Sequence, residues 1–368
     1  MEAGLRLACL PAPDQVRRLL VWHQGALGDL LLAGPALVAL SRHYSSAVWV
    51  AVGHPERWGL FHGTLPLEAI WDGGESRFTW LYSGQAEIPR NLAAALGTVD
   101  LAVVFTPRPQ LQLLARFHQA GVSAVVWVPS FDDTVKAPVA HLQAHRLADL
   151  GLAYEPQPLK LNLGNPSSWK GIFQSGTRDG GPEKIKLCNE SSVFPSRFPT
   201  PTDQHRWVAV APGSGNPRKN WPLSHYYELT RSLVWEHRVR VVWLVGPAEK
   251  AWLPYLQGLT QAQDMTLLAD ASLKQVAQVL AQCHLYIGGD SGLSHLAAAV
   301  DTPQVLVLFG PTNPLIWAPF APQVSVLTSS MECVPCARGR EISCSSVQCL
   351  QELSPETVLR RAARLLNF

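Results

Sequence analysis

The sequence is poor in charge: Asp, Glu, Lys and Arg make up 16% of 368 residues and leave a net charge of only +2. A nucleic-acid surface needs a basic stripe and wholesale disorder needs charge in excess of apolar residues, so the composition argues against both. It also lacks an apolar run long enough to span a membrane, because the most apolar stretch, residues 21–40, is interrupted by His23, Gln24, Asp29 and several glycines. The opening MEAGLRLACLPAPDQVRR has thin basic character and a short apolar run, without the order of a secretory signal. Internal repeats and coiled-coil heptads are missing too. The expectation is a cytosolic protein, its seven cysteines reduced unless they hold a metal, with a small molecule or a locally recognised surface as partner.

What is present is apolar: 47% hydrophobic residues, including 13 tryptophans, on a chain long enough for two domains. RRLLVWH, SAVWVAVG, VDLAVVFT and SAVVWVP read as strands, with helical periods over Gly28 to His43 and PQLQLLARFHQAG. The pattern then restarts: RWVAVA, RVRVVWLVG, HLYIGGD and PQVLVLFG alternate with the helical LSHYYELTRSLVWEH and SLKQVAQVLAQC. Two doubly wound α/β halves with parallel sheets follow. Residues 1–163 and 206–353 form the expected domains, separated by a Ser-, Gly-, Pro- and Lys-rich stretch at 164–205 that reads as a linker with a flexible insertion. In SPETVLRRAARLLNF, Ser354 is placed to cap a helix with Pro355 at its first position, so residues 354–368 form a C-terminal helix.

In open parallel sheets, ligands bind beyond the carboxyl ends of the strands, which selects three glycine-bearing turns. At IGGDSGLSHLAAA, residues 287–299, Asp290 or Ser291 is placed to cap a helix whose first N–H groups and dipole make a phosphate site, with Ser291 and His295 as added donors. An ordinary cap with a core histidine is the competing reading. At APGSGNPRKNWP, residues 211–222, Arg218 and Lys219 stand at the mouth of a strand-to-helix turn and suit a diphosphate leaving group, unless the loop is a solvated basic one. Asp29, in HQGALGD, either caps its helix or faces a cleft as a proton acceptor for a hydroxyl nucleophile.

Together GALGDLLLAGPALVAL, APGSGNPRKNWPLSHYYEL and GGDSGLSHLAAAVDTPQVLVLFGPTNP resemble, in order and approximate separation, the motifs of the ADP-heptose:lipopolysaccharide heptosyltransferases, glycosyltransferase family 9. The likeness covers most of the chain apart from residues 165–205. It implies the GT-B fold, two Rossmann-like domains facing across a cleft, and inverting transfer of heptose from ADP-heptose to a lipopolysaccharide inner-core acceptor, Kdo-lipid A or heptosyl-Kdo-lipid A. By the resemblance Asp29 is the acceptor's base and Lys219 attends the donor's phosphates and sugar. Gly213, Ser214, Asp290, Ser291, Gly292, Leu293 and His295 bind the donor, and Glu249 resembles the acidic residue that holds the ribose, although a glutamate opening an exposed helix is its ordinary reading. On the acceptor side Gly28, Arg57 and Arg108 are candidates, with Arg90 and Arg116 as further cations. No cofactor or divalent ion is implied, and attachment to the cytoplasmic face of the inner membrane would be peripheral.

CVPCARGREISCSSVQC gathers Cys333, Cys336, Cys344 and Cys349. Its C-x-x-C could open a zinc or iron–sulfur site, but the later spacings make no familiar knuckle, so thiols packing a loop are expected and no metal. Three other functions compete with heptosyl transfer: a GT-B transferase for another sugar or acceptor, a sugar-nucleotide-binding protein without turnover, and a nucleotide-sugar epimerase.

Overall fold

The computed structural model describes residues 9–83, 87–132, 134–164, 205–259, 264–337, 341, 342, 344 and 346–368. The expected insertion lies outside the described residues, apart from its ends at Gly164 and His205.

In the first half, strands β1 (Arg18–His23), β2 (Val48–Gly53), β3 (Leu67–Asp72), β4 (Leu101–Thr106) and β5 (Ala124–Pro129) form an all-parallel sheet in the order β3-β2-β1-β4-β5. Helices α1 (Leu27–Leu32), α2 (Gly34–His43), α3 (Pro55–Gly59), α4 (Arg90–Leu96), α5 (Leu111–Gln119) and α6 (Val139–Asp149) connect and cover them. β4 is buried along its whole length and β1 from its second residue on, as strands covered on both faces require.

The second half repeats the plan with β6 (Trp207–Ala211), α7 (Leu223–His237), β7 (Arg240–Val245), α8 (Leu253–Leu259), β8 (Met265–Ala269), α9 (Leu273–Leu280), β9 (Leu285–Gly289), α10 (Gly292–Ala299), β10 (Gln304–Phe309), α11 (Pro314–Trp317) and β11 (Val324–Thr328). Its parallel sheet runs β11-β10-β9-β6-β7-β8. Two helices close the chain, α12 (Gln348–Glu352) and α13 (Pro355–Leu365), the latter lying on α7. Ser354 Oγ accepts the Thr357 N–H at 3.2 Å, and Trp221 Nε1 donates to Leu353 O at 2.8 Å, which ties the helix's entry to the domain.

The single helix expected from Gly28 to His43 is two, α1 and α2, meeting at Ala33. Pro35 has no N–H to give the preceding turn, so the hydrogen-bond ladder breaks there. α1 is thereby a short element of its own at the end of β1.

In each sheet the strand order reverses beside a central strand, between β1 and β4 and between β6 and β9. The three glycine turns follow β1, β6 and β9, so all three sit at these switch points. The halves touch through one apolar cluster that runs from β1, α1 and α2 into α10 and β10. Polar contacts flank it: Leu161 N–H donates to Ala299 O at 2.8 Å and Leu273 N–H to Glu56 Oε1 at 2.7 Å. The rings of Phe131 and Trp317 meet at 5.4 Å.

Candidate active site

Asp29 is the third residue of α1, and its Oδ2 accepts the N–H of Ala26, the residue that precedes the helix, at 3.2 Å. The cap fixes the carboxylate at the tip of the first domain. Arg57 Nη1 donates to Gly25 O at 2.8 Å, so this cation holds the turn that carries Asp29. Across the cleft stands the first turn of α10. A side-chain carbon on Gly28 would lie 3.2 Å from His295 Cδ2, and one on Gly292 3.0 Å from Leu27 Cβ and 3.1 Å from Gly28 N. Both glycines are needed because the backbones of α1 and α10 approach too closely for a larger residue.

Neither residue expected to cap α10 does so. Ser291 occupies the capping position without a side-chain bond to the helix, and its Oγ is buried beside the Tyr286 hydroxyl. Asp290 Oδ2 is engaged instead by Lys219 Nζ at 3.2 Å and by Thr312 Oγ1 at 2.8 Å. The uncapped N–H groups and the Ser291 hydroxyl leave an anion-binding end, with an ammonium beside it. His295 is buried, and burial lowers its pKa to about 4 against the opposing pull of Asp290 and Asp29, so its ring is neutral at physiological pH. Leu293 packs half-buried against the apolar cluster between the domains.

Lys219 ends a 3-10 turn, Pro217–Lys219, capped by Asn216, whose side chain accepts the Arg218 N–H at 3.0 Å. Ser214 ties the loop down from within: its hydroxyl lies 2.7 Å from both Asn216 O and Asn220 Oδ1 and donates to one of them. Arg218 does not join Lys219 at Asp290, because its guanidinium donates to Ile342 O. Glu249, for which an exposed helix-start glutamate was the ordinary reading beside the ribose-binding one, is buried, only 4% accessible, and its Oε2 accepts the Gly246 N–H at 2.7 Å. Its carboxylate rests against Gly213, where any side-chain carbon would collide with it. Burial raises the Glu249 pKa, and the backbone N–H groups of Gly246, Glu249 and Gly213 oppose that rise.

The remaining cations divide. Arg108 is exposed and rims a cleft of about 590 Å³ beyond the ends of β4 and β5, together with Trp127, Phe131 and Asp132. Arg116 is structural: it stacks 4.5 Å over Trp80 and donates to Ser83 O at 2.7 Å. Arg90 is exposed at the start of α4. Cys333, Cys336, Cys344 and Cys349 are free thiols ranging from exposed to buried, and no group of three or more His, Cys, Asp or Glu able to hold a metal occurs among the described residues. Thr312, which grips Asp290, was not singled out from the sequence although FGPTNP was, since nothing local in that motif tells which hydroxyl faces the neighbouring turn.

Residues 184–346 match the model of a family described as glycosyltransferase family 9 (heptosyltransferase). Over that stretch the chain is similar to the glycosyltransferase family 9 domain. Among relatives, lipooligosaccharide heptosyltransferase 2 of Campylobacter jejuni is 23% identical over 93% of this chain and 96% of its own length. Lipopolysaccharide heptosyltransferase 2 of Salmonella typhimurium is 27% identical over 50% of this chain, and the chain spans about half of that relative, 51%. The fold is that of solved GT-B proteins. A glycosyl transferase family 9 structure from Veillonella parvula superposes with a TM-score of 0.71 at 16% identity, covering 98% of this chain and 99% of that one. The E. coli ADP-heptose lps heptosyltransferase II gives 0.65 at 20% identity, with 95% and 98% covered. No helix among the described residues is long and apolar enough to cross a membrane.

Proposed function

We propose that this chain transfers heptose from ADP-heptose to the inner core of lipopolysaccharide, on a Kdo-lipid A or heptosyl-Kdo-lipid A acceptor, with inversion at the anomeric carbon. The observation that carries the reading is the meeting of two first turns, α1 with Asp29 and α10 with Asp290, Ser291 and His295, at the switch points of facing sheets. The names of the relatives, heptosyltransferases acting on lipopolysaccharide and lipooligosaccharide, support the sugar and the acceptor class.

In this mechanism the diphosphate binds at the open end of α10, where the uncapped N–H groups, the Ser291 hydroxyl and Lys219 offset its charge. Glu249, set against Gly213, accepts hydrogen bonds from the ribose. Asp29 takes the proton of the acceptor hydroxyl, whose oxygen bonds to the anomeric carbon as the bond from that carbon to the β-phosphate oxygen breaks and ADP departs. Lys219 is held by Asp290 before the donor arrives and turns to the phosphates as charge builds on them. The leaving charge is met by protein groups, so the chemistry requires no cofactor. Gly28 and Arg57 set the turn that faces the acceptor, and Arg108 meets its acidic sugars. The acceptor's lipid brings the protein to the cytoplasmic face of the inner membrane as a peripheral visitor.

Titration calorimetry against ADP, UDP and GDP, followed by ADP-heptose with a Kdo-bearing lipid A and mass analysis of the product, tests the reading. Selective ADP binding and an acceptor heavier by one heptose are expected. Preference for UDP or GDP, or an unchanged acceptor, would overturn it.

A further inference from the structure

Asp290 and Ser291 are of the residue types that cap helices best, both stand at the start of α10, and neither caps it. Asp290 is drawn off by Lys219 and Thr312. A serine left to itself in that place turns its oxygen onto the N–H groups of the second and third helical residues, here Leu293 and Ser294, and so closes the end that a diphosphate needs. The Ser291 hydroxyl must therefore be engaged elsewhere.

Tyr286, the second residue of β9, lies beneath that turn. Its side chain is fully buried, and its hydroxyl is 3.1 Å from Ser294 Oγ in the first turn of α10. Gly288 leaves the space, since a side-chain carbon there would collide with the tyrosine hydroxyl. Ser291 Oγ is buried beside the same hydroxyl. Burial raises the phenol pKa to about 12 against the opposing hydroxyls of Ser294 and Ser291, so the tyrosine keeps its proton at physiological pH. One proton per hydroxyl then sets the directions. Ser294 Oγ lies 2.6 Å from Gly289 O, a carbonyl that can only accept, and the Ser294 proton goes there. Ser294 Oγ accepts the tyrosine proton in turn, which leaves the tyrosine oxygen a lone pair for the proton of Ser291.

Building on the donor site of the transfer reading above, we propose that Tyr286 is a positioning residue for the diphosphate: its hydroxyl accepts the Ser291 hydroxyl and holds that side chain beneath α10 instead of across its end, so that the N–H groups of the first turn stay open to the ligand. When a phosphate oxygen draws the Ser291 proton, the tyrosine proton turns from Ser294 to Ser291, and Ser294 keeps its bond to Gly289 O. No buried hydroxyl loses its partner in the exchange. Tyr286 itself touches no ligand.

The test is a double-mutant cycle on the full chain, with ADP affinity read by titration calorimetry. Tyr286→Phe keeps the ring and removes the hydroxyl, which frees Ser291 to cap the helix in competition with the diphosphate. The ADP Kd should rise about three- to tenfold, the fold-change that corresponds to one helix cap. In a Ser291→Ala background no cap can form, so adding Tyr286→Phe should change the Kd by less than about twofold. A loss of the same size in both backgrounds would mark Tyr286 as packing alone and overturn the proposal, as would a Tyr286→Phe Kd within about twofold of the parent's. A second readout needs no ligand. In a crystal structure of ligand-free Tyr286→Phe, Ser291 Oγ should be turned onto the helix, within about 3.2 Å of the Leu293 or Ser294 nitrogen. A serine that stays where it is in the parent would also overturn the proposal. Should the parent bind no ADP while the serine turns in Tyr286→Phe, the donor reading fails and the hold of Tyr286 on Ser291 stands.

Discussion

Asp29 caps its own helix at the turn that meets the opposite domain, so the capping reading open to it in the sequence is realised, and the proton-acceptor role belongs to the proposed mechanism. Asp29→Asn keeps an amide oxygen for the Ala26 N–H and loses the proton acceptor. It should lower kcat by about 10²–10⁴-fold and leave the ADP-heptose Kd within about twofold, measured by steady-state kinetics and calorimetry. An equal loss of donor binding would remove the base from Asp29. Gly213→Ala makes a different prediction, because its new methyl displaces the Glu249 carboxylate. ADP affinity should fall about tenfold or more and unfolding free energy by about 1–3 kcal/mol in a urea titration. Unchanged ADP binding would show that Glu249 holds no ribose. The turns that carry Asp29, Lys219 and Asp290 were legible because glycines and a strand end flag them locally. The burial of Glu249 was not, since it depends on Gly213 three dozen positions earlier leaving room. The same holds for Arg218, whose carbonyl partner, Ile342, lies far along the chain.

Elements were readable to the degree that they are buried. The central strands β1, β4, β6, β9 and β10 are unbroken apolar runs, and each stands out in the sequence. The strands that went unread, β3, β8 and β11, lie at sheet edges; β3 and β11 hold no buried residue and β8 only Met265 and Leu268, so LEAIWD and VSVLT lack the signal of a two-faced core strand. Helix starts carry chemistry of their own. At α13 the Ser354 hydroxyl accepts the Thr357 N–H, and Ser354→Ala should cost about 1 kcal/mol of unfolding free energy while leaving transfer unchanged. Thermal or urea unfolding checks it, and a loss near zero would mean that the Trp221 bond to Leu353 holds the helix entry without the cap.

At the scale of the whole molecule, two sheets were foreseeable from the repeated pattern, but the closeness of α1 to α10 was not, because it depends on Gly28 and Gly292 arriving opposite one another from different domains. That contact gathers buried titratable groups, and they make stability depend on acidity. His23 and His295 both have pKa values lowered by burial from 6.5 to about 4. The unfolded chain therefore takes up these two protons at a higher pH than the folded one. The stability each neutral ring preserves is fully present above about pH 6.5 and is lost as pH falls toward 4, roughly 3 kcal/mol per histidine over the whole interval. Urea titrations at about pH 7.5, 6, 5 and 4.5 should show unfolding free energy declining steadily below 6.5. In His23→Phe the decline should be about half as steep, because one proton fewer is taken up on unfolding. A profile flat between 6.5 and 4.5 would mean that water reaches both rings and that the junction between the domains opens on its own.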